Sequence, residues 1–312
     1  MVGELWGFGA WRIEIGFGGS HQYFSNQLVP DRVVTVGRLS SKLCASGHDF
    51  KRRLGWMSDS SAPMIEARGL SKFYGDFAAV RDMSYSIEKG EIVAFLGPNG
   101  AGKSTTMKML TGYLSASEGS AFIAGYDMSQ NRIAGSRKLG YLPESGPLYP
   151  DMTPAEMLNF FGEARGLRDK ELKESIADAV EAVELQTVYH KPIGKLSKGF
   201  RQRVGMSQAL LHKPDVLIMD EPTSGLDPNQ TDQIRDVILR WGQDRTILLS
   251  THILQEVEAM ATRVIIVNEG EKVADAPLSE FQTDGKTLSS EFRRLTKGLE
   301  PATEPHTDPN PS

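Results

Sequence analysis

The chain has 312 residues, 39% hydrophobic and 24% charged, enough for a folded core in one large domain or two small ones. The formal net charge of -5 and a pI of about 5.8 argue against a nucleic-acid partner. A lone Cys44 excludes an intrachain disulfide and a four-thiolate zinc site, and fits a reducing compartment; no apolar run reaches the roughly 18–20 residues of a membrane span, so membrane work would need another chain.

Residues 1–63 differ from the rest. They hold Trp6, Trp11, Trp56 and the cysteine, bases outnumber acids, and no lasting helical or strand period is read there. Glu4, Arg12 and Glu14 interrupt any apolar centre, so the segment is not a signal peptide. It is expected to be a poorly ordered leader, or upstream sequence read from an early start codon, with Met57 and Met64 as alternative starts. An ordered domain is expected over 64–285.

"MIEARGLSKFYG" reads as a strand and turn, and "SYSIEKGEIVAFLG" as two strands around a Lys89-Gly90 turn. Next comes a short apolar run, Ile92 to Leu96, followed by Gly97-Pro98-Asn99-Gly100-Ala101-Gly102-Lys103-Ser104-Thr105. This is the Gly-x4-Gly-Lys-Ser phosphate-loop pattern between a buried strand and a helix. The glycines let backbone N–H groups turn toward phosphate oxygens, and the helix that follows aims its positive end at them. Lys103 is expected to reach the β- and γ-phosphates, and the Ser104 hydroxyl to ligate Mg²⁺.

"GYLPESGPLYP" places an acid, Glu144, in a loop after a strand-like run. Thr153, Pro154 and Glu156 then form a capping box with proline at the first helical position. Leu172, Ile176, Val180 and Val183 make a helical stripe, so about 151–211 reads as helix-rich. In "KPDVLIMDEPTSGLDP" a buried strand ends in Asp220 and Glu221. Acids at the carboxyl end of a parallel strand sit at the ligand edge of the sheet. Asp220 is expected to hold Mg²⁺ and Glu221 to act as general base on water. "TILLSTH" repeats the pattern and places His252 on the same edge, within reach of a γ-phosphate. Residues 286–312 are expected to be a short helix and a Pro-rich, disordered tail.

Together with "LSKGFRQRV", these motifs resemble the nucleotide-binding subunit of an ABC transporter, over about Met64 to Phe281. Leu196, Ser197 and Gly199 match the family signature Leu-Ser-Gly-Gly-Gln, while Lys198 and Phe200 depart from it. The resemblance implies an α/β fold: a P-loop NTPase core with a mixed sheet, an antiparallel β subdomain and a helical subdomain. It implies that Tyr74 stacks on adenine, that Gly97 to Thr105 cradle the phosphates, and that His252 is the switch histidine. Ser197 and Gly199 become signature contacts, and Ser224 to Asp227 the D-loop, with Asp227 at the dimer contact. Glu144 stands where the family usually has Gln, which gives it a place at Mg²⁺ or its water. ATP and Mg²⁺ are the implied cofactors.

The implied partners are a second copy or a similar ATPase subunit, joined head to tail, and separate membrane subunits. The chain would lie in the cytoplasm on the inner face of the membrane and power export. "YLPE" and "LSKGFRQR" resemble the ATPase subunits of bacterial exporters of the multidrug and gliding-motility-like group. The alternative is a soluble ABC-type ATPase not coupled to transport. A single cysteine, a single P-loop and no room for a coiled coil between 202 and 216 count against its nucleic-acid-acting forms. No Asn-Lys-x-Asp guanine motif supports a GTPase, and intact Glu221 and His252 argue against a non-hydrolysing module.

Overall fold

The computed structural model describes residues 5–6, 10–17 and 20–27 as backbone strands, and residues 62–146, 148–283 and 285–296 in full. The chain divides into two units, Met1–Asp59 and Ser60–Ser312. In the first, β1 (Leu5–Trp6), β2 (Ala10–Phe17) and β3 (Ser20–Gln27) form an antiparallel sheet. The sequence reading expected no strands there. The signal was present: Trp11, Ile13, Ile15 and Phe17 alternate with Arg12, Glu14 and Gly16. The rest of the leader through residue 61, and the tail 297–312, lie outside the described residues.

The second unit holds two sheets. The antiparallel one has the order β5-β4-β7-β8, from β4 (Ile65–Tyr74), β5 (Phe77–Ile87), β7 (Glu118–Ile123) and β8 (Tyr126–Asp127). The larger sheet has the order β13-β12-β6-β11-β10-β9. Its strands are β6 (Ile92–Leu96), β9 (Leu139–Leu142), β10 (Val216–Asp220), β11 (Thr246–Thr251), β12 (Arg263–Asn268) and β13 (Glu271–Pro277). All neighbours in it are parallel except the β12–β13 edge pair. The Lys89-Gly90 turn therefore does not close a hairpin. β5 stays in the antiparallel sheet, and β6, buried at every position, enters the centre of the other.

The parallel sheet is apolar on both faces, as its continuous hydrophobic strands require. Ile92, Ala94 and Leu96 of β6 face one core layer; Val93 and Phe95 face the other. Leu217 and Met219 of β10 repeat this against Val216 and Ile218. One layer is completed by the antiparallel sheet and α1 (Lys103–Leu110), which contributes Met107 and Leu110. The other takes side chains from α6 (Pro228–Gly242) and α7 (Leu254–Met260), and runs on into the helical segment. Short α2 (Arg132–Lys138) lies beside β8.

The helical segment comprises α3 (Pro154–Ala164), α4 (Asp169–Ala182) and α5 (Lys198–Leu210). The α3 capping box forms: Glu156 N–H donates to Thr153 Oγ1 at 3.2 Å, and Thr153 N–H donates to Glu156 Oε2 at 2.8 Å. Such a cap is worth about 1 kcal/mol. The Leu172, Ile176, Val180 and Val183 stripe is buried in the same layer as Ile92, Ala94 and Leu96 of β6 and Leu217 and Met219 of β10, so this segment has a hydrophobic footing on the core. α8 (Leu288–Thr296) follows and buries Leu288.

Candidate nucleotide site

Register brings the chemistry to one edge. In the parallel ladder Leu96 pairs with Thr251, Asp220 with Ser250, and Leu142 with Met219. The loops that leave these strands carry Gly97, Glu221, His252 and Glu144, so residues far apart in sequence emerge side by side. Gly97 N–H donates to Thr251 O at 3.4 Å, tying the start of the phosphate loop to β11.

Gly102 has φ +90, and a Cβ there would lie 2.5 Å from the Ala79 carbonyl. Both conformation and space demand glycine. No side chain caps α1, so the first-turn N–H groups are left for a ligand in the loop. Lys103 is only 5% exposed and folds back on the loop. Its Nζ donates to Gly97 O at 2.8 Å and Pro98 O at 3.1 Å, and lies 3.7 Å from Glu221 Oε1. Burial lowers the ammonium's pKa, and the Glu221, Asp220 and Glu144 carboxylates oppose that shift.

Asp220 is 2% exposed and accepts from Ser250 Oγ at 2.5 Å. Glu221 adopts φ +47, unusual for a residue with a side chain. The conformation is held by its own N–H, which donates to Ser250 O at 3.2 Å and Ser250 Oγ at 3.1 Å. Ser250 thus fixes both acids. His252 Nδ1–H donates to Glu221 Oε1 at 3.0 Å, so the imidazole orients that carboxylate.

A cleft of about 610 Å³ opens over these groups, within the range of small-molecule sites. Of the residues singled out from sequence, it is lined by Tyr74, Asn99, Gly100, Gly102, Lys103, Ser104, Thr105, Glu144, Glu221, Ser224 and His252. Asp220 lies beneath it. Gly97, Pro98 and Ala101 form the inner side of the loop; Ala101 packs into the core. Tyr74 is 53% exposed at the rim, with Lys72 Nζ 5.5 Å from its ring centroid. Sequence reasoning missed Phe77, 65% exposed in the same cleft and the register partner of Tyr74 across the β4–β5 turn. It also missed the role of Ser250, whose only signal was a hydroxyl at a strand end.

Ser197, Gly199 and Asp227 do not line this cleft. Ser197 Oγ caps α5 by accepting from Phe200 N–H at 3.3 Å. Asp227 Oδ1 caps α6 by accepting from Gln230 N–H at 3.0 Å. A Cβ at Gly199 would lie 2.6 Å from Gln230 Oε1, so the two helix starts are neighbours, with the end of the Gln230 side chain against Gly199. A second cavity, of about 280 Å³, lies between Glu144 and the α5 residues Lys198, Arg201 and Gln202. Glu144 lines both cavities and stands at the junction of cleft and helical segment.

A phosphate loop, a strand-end acid pair and a hydroxyl-braced edge define a nucleotide-binding α/β protein of the P-loop class. Comparison with known proteins narrows this. The ABC transporter family model matches residues 80–224. The chain is 38% identical to the uncharacterized ABC transporter ATP-binding protein YxlF of Bacillus subtilis (strain 168), over 72% of this chain and 74% of that protein. It is 34% identical to the Nod factor export ATP-binding protein I of Burkholderia orbicola (strain AU 1054), over 69% and 71%. A solved structure of an ATP-binding subunit of an ABC transporter superposes with a TM-score of 0.67 at 30% identity, covering 74% of this chain and 99% of that one. The chain belongs to the ATP-binding proteins of ABC transporters.

Proposed function

We propose that this chain hydrolyses ATP in the 610 Å³ cleft and uses the cycle to drive export through separate membrane subunits. The carrying observation is the contact of Glu221 with both Lys103 and His252 at the floor of the cleft. Tyr74 and Phe77 supply aromatic surface for the base at the rim. Loop N–H groups and Lys103 take the phosphates, and the lysine exchanges its carbonyl partners for phosphate oxygens. Glu221 accepts a proton from the attacking water, and His252 holds the carboxylate in place. The Ser104 hydroxyl and the Asp220 and Glu144 carboxylates offer only hard oxygen donors, which suits Mg²⁺ held jointly with phosphates. When bound, Mg²⁺ supplies charge neutralisation at the phosphates.

We infer a head-to-tail dimer with two shared sites. The uncapped phosphate end and the Ser197–Gly199 helix start lie apart within one chain, and each would complete the other's site in a second copy. Among the described residues no helix is long and apolar enough to cross a membrane, so the spans of the proposed exporter would belong to separate membrane subunits; the family likeness supports a peripheral place beside them on the inner face. Exposed Tyr149 and Phe160 cluster with Phe161, at centroid distances of 5.2 to 6.4 Å, and offer an apolar face on the helical segment for a cytoplasmic part of those subunits. Similarity to the Nod factor export ATP-binding protein I supports export as the direction. The test is phosphate release from ATP with Mg²⁺: Lys103→Ala abolishes it, and unchanged release would remove the phosphate loop from the reaction.

A further inference from the structure

A buried acid outside the cleft joins the two loops that carry Glu221 and His252. Glu256, in the first turn of α7, is 7% exposed. Its Oε2 accepts from Thr251 Oγ1 at 2.7 Å, and its Oε1 accepts from Thr223 Oγ1. Thr251 directly precedes His252, and Thr223 is two residues after Glu221. Thr251 Oγ1 also accepts from Ile253 N–H at 3.0 Å, which locks that hydroxyl as a donor toward Glu256. One carboxylate therefore spans the loop after β10 and the loop after β11.

Burying a carboxylate is unfavourable unless its oxygens are bonded, and an apolar side chain would fill the same space without that penalty. Here each oxygen is spent on a different catalytic loop. The Glu221–His252 contact has no other side-chain hydrogen bond between these two loops to set its length, apart from Ser250 at the strand ends, among the described residues. We propose that Glu256 is a positioning residue: it clamps the two loops and so fixes the His252–Glu221 geometry for water attack. This rests on the hydrolytic reading of the cleft and adds a residue to it.

The experiment measures steady-state ATP turnover, ATP affinity by calorimetry without Mg²⁺, and melting temperature, for Glu256→Gln, Thr251→Val and Thr251→Ser. Gln keeps the size but replaces one acceptor by an amide donor, and Val removes one clamping hydroxyl. Misplacing a catalytic group by an ångström costs on the order of a hundredfold, so kcat is expected to fall about tenfold to a hundredfold in Glu256→Gln and Thr251→Val. ATP affinity stays within about twofold, and Thr251→Ser recovers most of the loss. In a His252→Ala background Glu256→Gln adds less than about twofold, because both act through one geometry.

Three results would overturn the proposal: full turnover in Glu256→Gln, full additivity with His252→Ala, or Thr251→Ser failing as Thr251→Val does. If Glu256→Gln does not fold, the Thr251 pair carries the test. Glu221→Gln is the control. If it hydrolyses ATP normally, the hydrolytic reading fails; if it is inactive while Glu256→Gln is fully active, only the clamp fails.

Discussion

The nucleotide cleft and the signature face are built by different means. In the cleft, buried parallel strands deliver the acids, and hydrogen bonds from Ser250 and His252 fix them. The signature face is a pair of neighbouring capped helix starts, at Ser197 and Asp227, which meet where Gly199 faces the Gln230 side chain. Its hydrogen bonds are also satisfied within the chain, yet it meets none of the cleft. The difference separates two tasks. Chemistry needs rigid geometry from a sheet edge. In the proposed dimer, presentation to a second chain needs only a stable, exposed helix end.

The strongest way to sharpen this contrast is to disable each region separately. Glu221→Gln is expected to cut turnover by about a thousandfold, within the range for a lost general base, while ATP still binds. Ser197→Arg is expected to cut turnover on the order of a hundredfold with ATP affinity of the single chain unchanged, measured by calorimetry. Loss of ATP affinity in Ser197→Arg would mean that the signature serves its own cleft and would break the comparison. Glu144→Ala sits between the regions. It is expected to lower turnover about tenfold, as removal of a supporting metal-site group does. Unchanged turnover and unchanged coupling to transport would make Glu144 an ordinary loop acid.

The cleft was largely legible in the sequence because its parts are local. Gly97 to Thr105 form one contiguous pattern, and Asp220-Glu221 and His252 each close an apolar run. Thr153 to Glu156 likewise announce a helix start that the structure shows. What stayed hidden depends on register between distant segments. Phe77 joins Tyr74 only through the β4–β5 pairing, and Ser250 braces Asp220 only through β10–β11. Glu256 looks like one polar residue on a helix until Thr223 and Thr251 fold onto it. The Lys89-Gly90 turn misleads because local turn chemistry does not say which sheet each strand joins.

The prediction with the smallest expected effect on turnover tests stability away from both regions. His212 Nε2–H donates to Leu139 O at 2.9 Å, and Nδ1 is buried with no hydrogen-bond partner among the described residues. Burial, and then the nearby Arg165, push its pKa down to about 4. The unfolded chain, with histidine near 6.5, binds the extra proton first as pH falls. Stability is therefore full above about pH 6.5 and is lost between there and pH 4, by up to about 3 kcal/mol. Urea melts of His212→Leu are expected to show a flatter pH profile in that window, with turnover at neutral pH unchanged. An unaltered profile would show that His212 does not titrate with folding.

The shared-site dimer is the central claim, and light scattering on Glu221→Gln tests it most directly. With ATP and Mg²⁺ the protein should run at twice the 34.3 kDa of the chain, and adding Ser197→Arg should return it to the single-chain mass. ATP-saturated Glu221→Gln that stays at the single-chain mass would contradict the account.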